Sequence, residues 1–301
     1  MNAWVLIGAA AALGSAAAWA VGSILFRKIG DAASPLGMNL GKGLLGLVLI
    51  GIAVAAVGIE PVDGRSLAFL GLSGLVGVAL GDTFFFMALV RLDPRQTLLL
   101  ATVGQVFTVV LAMVVLGERA SPLTWSGIVL VIGGVTWVMA ERLGVEPGQR
   151  RERRLAGIVY GLLASLCMSV GVLTAKVGVA EVPSLQATWI RLAAGMVGLA
   201  VFGLLRRELV TWLRPFRDPR LLRSIVVAVL VIMFGGFWLS LLSLKYIDAS
   251  ISVILTSTEP LFVLPLVALF MKERVSLRAI LGATIAVGGV ATILAGFVTA
   301  G

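Results

Sequence analysis

The chain has 301 residues, a mean hydropathy of +1.08, 59% apolar residues and only 13% charged ones, about half the usual charged share of a soluble domain. No single core buries that much apolar surface, so the composition predicts an all-α integral membrane protein. One cysteine, Cys167, and no histidine rule out an internal disulfide and a histidine-dependent triad, and leave no expected metal site or cofactor. The net charge of +9 lies between apolar runs, which suits anionic lipid headgroups and topology rather than nucleic acid.

Crossing a bilayer core of ~30 Å takes about 20 apolar residues. Punctuation by Pro, Gly and charge gives ten such spans: 4–26, 35–58, 66–90, 97–116, 123–141, 155–175, 184–205, 222–244, 251–271 and 277–298. The first contains "SAAAWA", similar to a signal-cleavage region. No basic residue precedes the run, however, and it outlasts a signal core of about 7–15 residues, so a retained helix is expected. Ser15, Trp19 and Ser23 fall on one face of it at i, i+4, i+8. Span 2 carries Lys42, span 3 Asp82, and span 4 Thr102 and Gln105 about one turn apart. Span 7 carries Arg191, span 8 Trp238 within "GGFWLS", and span 9 Ser257 and Glu259. Taken singly the Ser, Thr and Trp residues are weak signals: mid-membrane hydroxyls usually bond their own backbone, and Trp also faces lipid. Spans 5 and 10, "GIVLVIGGV" and "GATIAVGGV", lack interior charge and read as packing or dimer surface.

The chain repeats itself. A shift of 155 residues pairs Gly81 with Gly236, Asp93 with Asp248, Phe107 with Phe262, Glu118-Arg119 with Glu273-Arg274, and Gly133-Gly134 with Gly288-Gly289. A shift of 149 pairs Gly22 with Gly171, Lys42 with Arg191, and Gly46 with Gly195. The expected units are 1–143 and 155–299, joined by a basic loop at 144–154. Five spans per unit is odd, so the second unit must enter from the opposite side. Such inverted repeats are a transporter architecture, with the substrate site at their interface. Loops after odd-numbered spans hold 18 Lys or Arg; the even ones hold only Arg65, Arg119, Lys176 and Lys245. The odd loops are therefore predicted cytoplasmic and both termini outside.

Lys42, Asp82, Arg191 and Glu259 remain inside the spans, and their charges sum to zero. At 1.5 Å per residue, Lys42 and Asp82 lie about 11 and 13 Å in from one face, and Arg191 and Glu259 about 11 and 13 Å in from the other. Two ion pairs follow as an expectation, Lys42–Asp82 and Arg191–Glu259. They either lock helices together or line a polar cavity that binds a charged solute or carries protons, with Asp82 and Glu259 as relay candidates. Pro260 and Pro265 each remove a helix hydrogen bond beside Glu259, as suits a bendable cavity wall.

The segments "TSTEPLFVLPLVALFMKERVSLRAILGATIAVGGV", "GERASPLTWSGIVLVIGGVTWV" and "LGDTFFFMALVRLDPRQTLLLA" resemble the EamA-type branch of the drug/metabolite transporter superfamily. The resemblance covers nearly the whole chain. It implies ten helices in two inverted five-helix repeats around a central cavity lined by spans 1–4 and 6–9. It also implies alternating access and export of amino acids or similar small metabolites across a bacterial inner membrane. In the first half the Glu-Pro position holds Gly104-Gln105, which leaves Asp82 as that half's acid.

The expected function is a secondary transporter, an exporter of a small organic solute, with a proton or another ion as coupling partner or none. Lys42 and Arg191 suit an anionic group such as a carboxylate, and Trp19 and Trp238 an apolar part. The alternatives are an uptake permease or a cationic-drug exporter, the latter favouring Asp82 and Glu259. From other classes, an intramembrane enzyme lacks a nucleophile–base pair, and a structural membrane protein needs no balanced interior charges. The remaining partners are lipid and, for a homodimer, a second copy; a monomer is equally compatible.

Overall fold

The computed structural model describes residues 3–27, 34–92, 94–119, 121–140, 151–259, 261–262, 266 and 277–299. Among these the regular structure is helical. In chain order we label the long helices α1 (Ala3–Arg27), α2 (Pro35–Val57), α3 (Gly64–Leu89), α4 (Pro94–Leu116), α5 (Pro122–Ala140), α6 (Arg151–Gly178), α7 (Ser184–Leu205), α8 (219–246), α9 (Ala249–Thr256) and α10 (Leu277–Thr299). Nine of them fall in expected apolar runs, and α9 covers the start of the run 251–271, most of which lies outside the described residues. Six of them, α1, α2, α3, α6, α7 and α8, contain stretches long and apolar enough to cross a membrane. A short helix, Leu209–Leu213, lies in the basic loop before α8.

Helix starts follow local chemistry. Ser34 accepts a hydrogen bond from the Gly37 amide, with Pro35 at the first helical position of α2. Asp63 does the same for α3 through the Ser66 amide at 2.9 Å. In α9 the regular pattern stops at Thr256, and i→i−3 bonds run from the Thr258 and Leu261 amides. Pro260 and Pro265 themselves lie outside the described residues.

Two helices carry a wide-turned π segment: Gly74–Gly81 within α3 and Val231–Trp238 within α8. They occupy corresponding places in the two halves, since Gly81 pairs with Gly236.

The halves interleave. α1 packs on α8 and α9, α6 on α3 and α4, and α7 on α2 and α3. Glycine lets these backbones close in. A Cβ on Gly195 of α7 would meet Val78 at 2.9 Å and the Gly74 carbonyl at 3.0 Å, and one on Gly171 of α6 would meet Gly77. α5 and α10 pack on each other, so their glycine stripes serve intramolecular contact. Glu118, from the loop after α4, caps α9 in the other half. Its carboxylate accepts from the Ala249 amide at 2.7 Å, the Ser250 amide at 3.0 Å and the Ser250 hydroxyl at 2.6 Å. Nearby, Lys176 Nζ donates to the Leu244 and Ile247 carbonyls at the end of α8, and Lys245 Nζ to Val182 O. Burial first, and the Glu118 carboxylate second, raise Asp248 above the usual carboxylate range, against the pull of Lys176.

Three outcomes follow from this packing. A Cβ on Gly134 would meet backbone, Gly282 O at 2.5 Å and Ala286 N at 2.6 Å, whereas Gly133 faces open space. Gly134→Leu should therefore lower stability by about 3 kcal/mol in detergent melts, with Gly133→Leu near neutral. Glu118→Gln should cost about 1.5–3 kcal/mol, the range for hydrogen bonds to a charged group. A raised folded pKa means that ionised Asp248 subtracts stability at neutral pH, and that the penalty disappears as pH falls below the ordinary value of 3.8. Asp248→Asn should accordingly raise the melting temperature at pH 7, with the gain shrinking in acid.

Candidate functional site

The predicted Lys42–Asp82 pair is formed, with Nζ 2.9 Å from Oδ2 and both side chains largely buried. Lys42 sits in "GMNLGKGLLG", where small residues bring neighbours onto α2: Met196 of α7 lies over Gly43 and Met233 of α8 over Gly46. Asp82 is the first residue after the π segment of α3. The lysine ammonium also lies 5.6 Å from the centre of the Phe86 ring and 5.4 Å from that of Phe237, so aromatic faces complete its surroundings. Trp19 stacks obliquely on Phe237 at 5.3 Å and lies against Gly236.

The second predicted pair is not formed. Arg191 and Glu259 make no ion pair, because equal depth fixes height in the membrane and not which helices adjoin. α7 packs on α2 and α3, while α9 packs on α1 and α4. Arg191 is instead buried, 9% exposed, with its guanidinium against Gly77 and its electrostatic partner Asp82. Two cations at matching repeat positions are thus buried, and the Asp82 carboxylate is bonded to one of them, Lys42. The repeat explains the arrangement: a shift of 155 places Phe237 opposite Asp82, so the second half offers a ring where the first offers an acid.

Three buried side-chain atoms among the described residues have no hydrogen-bond partner: Asn39 Oδ1, Thr83 Oγ1 and Arg191 Nε. They lie on α2, α3 and α7, the helices that carry Lys42, Asp82 and Arg191. Asn39 Nδ2 donates to Val78 O within the π segment at 3.0 Å. Unpaired buried polar groups are costly and mark a place where water or a ligand belongs.

The other predicted residues distribute as follows. Gln105 on α4 is half-buried, and Ser257 and Glu259 follow α9, which packs on α4 and α1 rather than on the helices of the Lys42–Asp82 pair. Ser257 donates to its own helix at Ile254 O, which matches the ordinary behaviour of a mid-helix hydroxyl. Glu259 makes no ion pair among the described residues. Trp238 Nε1 donates to Ser184 Oγ at 3.0 Å, which ties α8 to the start of α7. Ser15 Oγ donates to Gly236 O at 2.8 Å, a bond between α1 and the second π segment. The side chains of Ser23 and Thr102 lie outside the described residues.

Sequence reading missed Asn39, Phe86, Phe237 and Thr83. Asn39 was findable, since it precedes Lys42 by one helical turn; the rings carried no signal that separates them from ordinary apolar filling.

The sequence profile of the EamA-like transporter family matches the chain twice, over residues 6–140 and 155–295. An uncharacterized transporter of Archaeoglobus fulgidus is 24% identical over 275 residues, which span 90% of this chain and 91% of that one. A solved crystal structure superposes with a TM-score of 0.73 at 19% identity, over 96% of this chain and 95% of its own, and so shares the fold. Two profile matches across an apolar helical chain, with buried charges where the matched segments meet, lead to one conclusion: the protein is an integral membrane protein of the EamA-like transporter family, within the drug/metabolite transporter superfamily.

Proposed function

We propose that the protein is a secondary exporter of a small organic solute, an amino acid or a metabolite of similar size, working by alternating access. One observation carries this reading: Lys42, Asp82 and Arg191 lie buried where helices of the two matched segments meet. Charge inside a bilayer costs roughly 2.5–3.5 kcal/mol per residue on insertion scales, and chains keep it mainly for pathways and binding. A purely structural role would be met by apolar packing at least as well.

In this reading all ten helices cross the membrane. Units 1–143 and 155–299 are inverted copies, and the loop at 144–154 joins them. The basic odd-numbered loops face the cytoplasm of a bacterial inner membrane, and both termini face out. The polar cluster and the α4–α9 locality with Gln105, Ser257 and Glu259 are exposed in turn to the two sides. Glu259, without a counter-charge among the described residues, is the proton-relay candidate. The Glu118 and Lys176 bonds hold the even-loop face together.

Counterflow in proteoliposomes against amino acids, organic acids, sugars and cationic dyes tests the reading. The wild type should exchange at least one small solute. Asp82→Asn and Glu259→Gln should abolish or uncouple that flux while the protein still inserts and elutes as a folded species. Full activity in both variants contradicts the proposal.

A further inference from the structure

We infer that the segment 206–223, between α7 and α8, is a docking surface for an anionic phospholipid whose headgroup seats the segment against α2 and α7. The inference needs only a membrane protein and is independent of what the chain transports.

The segment reads "RRELVTWLRPFRDPRLLR": six arginines, two acids and no lysine. Its short helix, Leu209–Leu213, runs into a tighter turn at Arg214–Arg217. The large apolar side chains turn inward. Trp212 is buried with its ring against Gly203 of α7, and its carbonyl oxygen lies 2.8 Å from where a Cβ on Gly37 of α2 would stand. The Phe216 ring covers Gly41 of α2 so closely that a side chain there has no room. Leu209, Leu213 and Phe216 pack on a core to which α2, α7 and α8 all contribute. The segment is therefore a strap laid across two helices, one from each matched half of the chain.

The arginines turn outward. Arg206, Arg207, Arg214, Arg217 and Arg223 are exposed. Arg206 reaches Glu208 only at 3.8 Å, and the other four make no ion pair or side-chain hydrogen bond among the described residues. One of them sits at a backbone cost. α7 ends in a Schellman turn, in which the Glu208 amide donates to Gly203 O at 2.9 Å and the Arg207 amide to Leu204 O at 3.0 Å. Arg207 fills the left-handed position of that turn, at φ 57°, where glycine is usual. A residue held where glycine fits better points to a use for its side chain.

Topology alone explains positive charge in a loop, but not the apolar surface beside it. Leu204, Leu205 and Val210 are 62%, 79% and 71% exposed and adjoin the arginines in sequence. A soluble anion or an acidic protein segment would meet the guanidiniums and leave these side chains in water. A phospholipid covers both, its phosphate taking paired guanidinium donors and its acyl chains lying on the leucines and the valine. A zwitterionic headgroup brings its own ammonium to a surface already in cationic excess, so an anionic one fits better.

The test is a set of thermal melts of the full chain in nanodiscs of phosphatidylcholine, alone or with one third phosphatidylglycerol. The wild type should melt about 3–6 °C higher with phosphatidylglycerol, as expected when a ligand binds the folded state alone. The double variant Arg214→Gln/Arg217→Gln should lose most of that gain. Arg150→Gln/Arg154→Gln, which removes the same charge from the other long basic loop, should keep it. Arg207→Gly should melt higher than the wild type in phosphatidylcholine, because the turn is relieved, yet gain less from phosphatidylglycerol; it serves should the double variant fail to fold. A merely structural arginine would not separate those two readouts. The inference is overturned if the wild type shows no gain, or if the whole gain survives in the double variant or in Arg207→Gly. It is equally overturned if Arg150→Gln/Arg154→Gln loses as much, which would mean unspecific attraction to the bilayer. Soluble glycerol 3-phosphate or polyglutamate that reproduces the gain in phosphatidylcholine discs overturns the lipid as occupant.

Discussion

The burial of two cations, Lys42 and Arg191, on helices where only Lys42 has a bonded carboxylate, Asp82, is the constraint around which the structure is arranged. Lys42 and Arg191 occupy equivalent positions of the repeat, but Asp82 has Phe237 as its counterpart, so symmetric halves produce an asymmetric charge distribution. A low-dielectric interior magnifies that asymmetry, because an uncompensated charge there keeps most of its desolvation penalty. The cluster is thus either neutralised by something that enters or is held charged at a standing cost to stability. Transport chemistry uses such an energetic gap, since an empty site that is uncomfortable binds and releases as its access changes.

Backbone irregularity places this cluster. The π segment of α3 ends just before Asp82, and its Val78 carbonyl accepts from Asn39. The matching segment of α8 ends in Phe237-Trp238 and leaves Gly236 O to Ser15. Wide turns are rare and concentrate at functional positions, because each one re-aims the side chains beyond it. Glycines at 74, 77, 171 and 195 then let α3, α6 and α7 approach until backbone meets backbone. Arg191 is held by this packing rather than by hydrogen bonds. At the helix ends the opposite holds: Glu118 clasps the start of α9 in the other half, and Lys176 the end of α8 in its own half, through charge-assisted bonds.

Much of this was legible in the amino-acid order. Apolar run lengths located the helices, because spanning a bilayer demands continuous apolar sequence and loops do not. The repeat exposed Lys42 and Arg191 as equivalents, and helical rise put Lys42 level with Asp82. The same arithmetic failed for Arg191 and Glu259, since depth is one coordinate and contact needs three. The π segments left only a spacing of glycines at 74, 77 and 81, a pattern that also serves plain helix packing. Phe86 and Phe237 look like any other apolar residues until the fold sets them around an ammonium. Glu118 was visible as a repeat marker, yet its role as a cap on α9 depends on a contact between residues more than a hundred positions apart.

The central claim is that this buried cluster faces an aqueous passage instead of serving as a sealed internal brace. Water access at Thr83, a 7% exposed residue adjoining Asp82 with an unpartnered hydroxyl, tests it most directly. With Cys167 replaced by alanine and Thr83 by cysteine, a membrane-impermeant thiol reagent is applied to each side of oriented vesicles. The account predicts labelling from at least one side, slowed by a transported solute. A cysteine at this position that stays unlabelled from both sides, in protein that still catalyses counterflow, contradicts it.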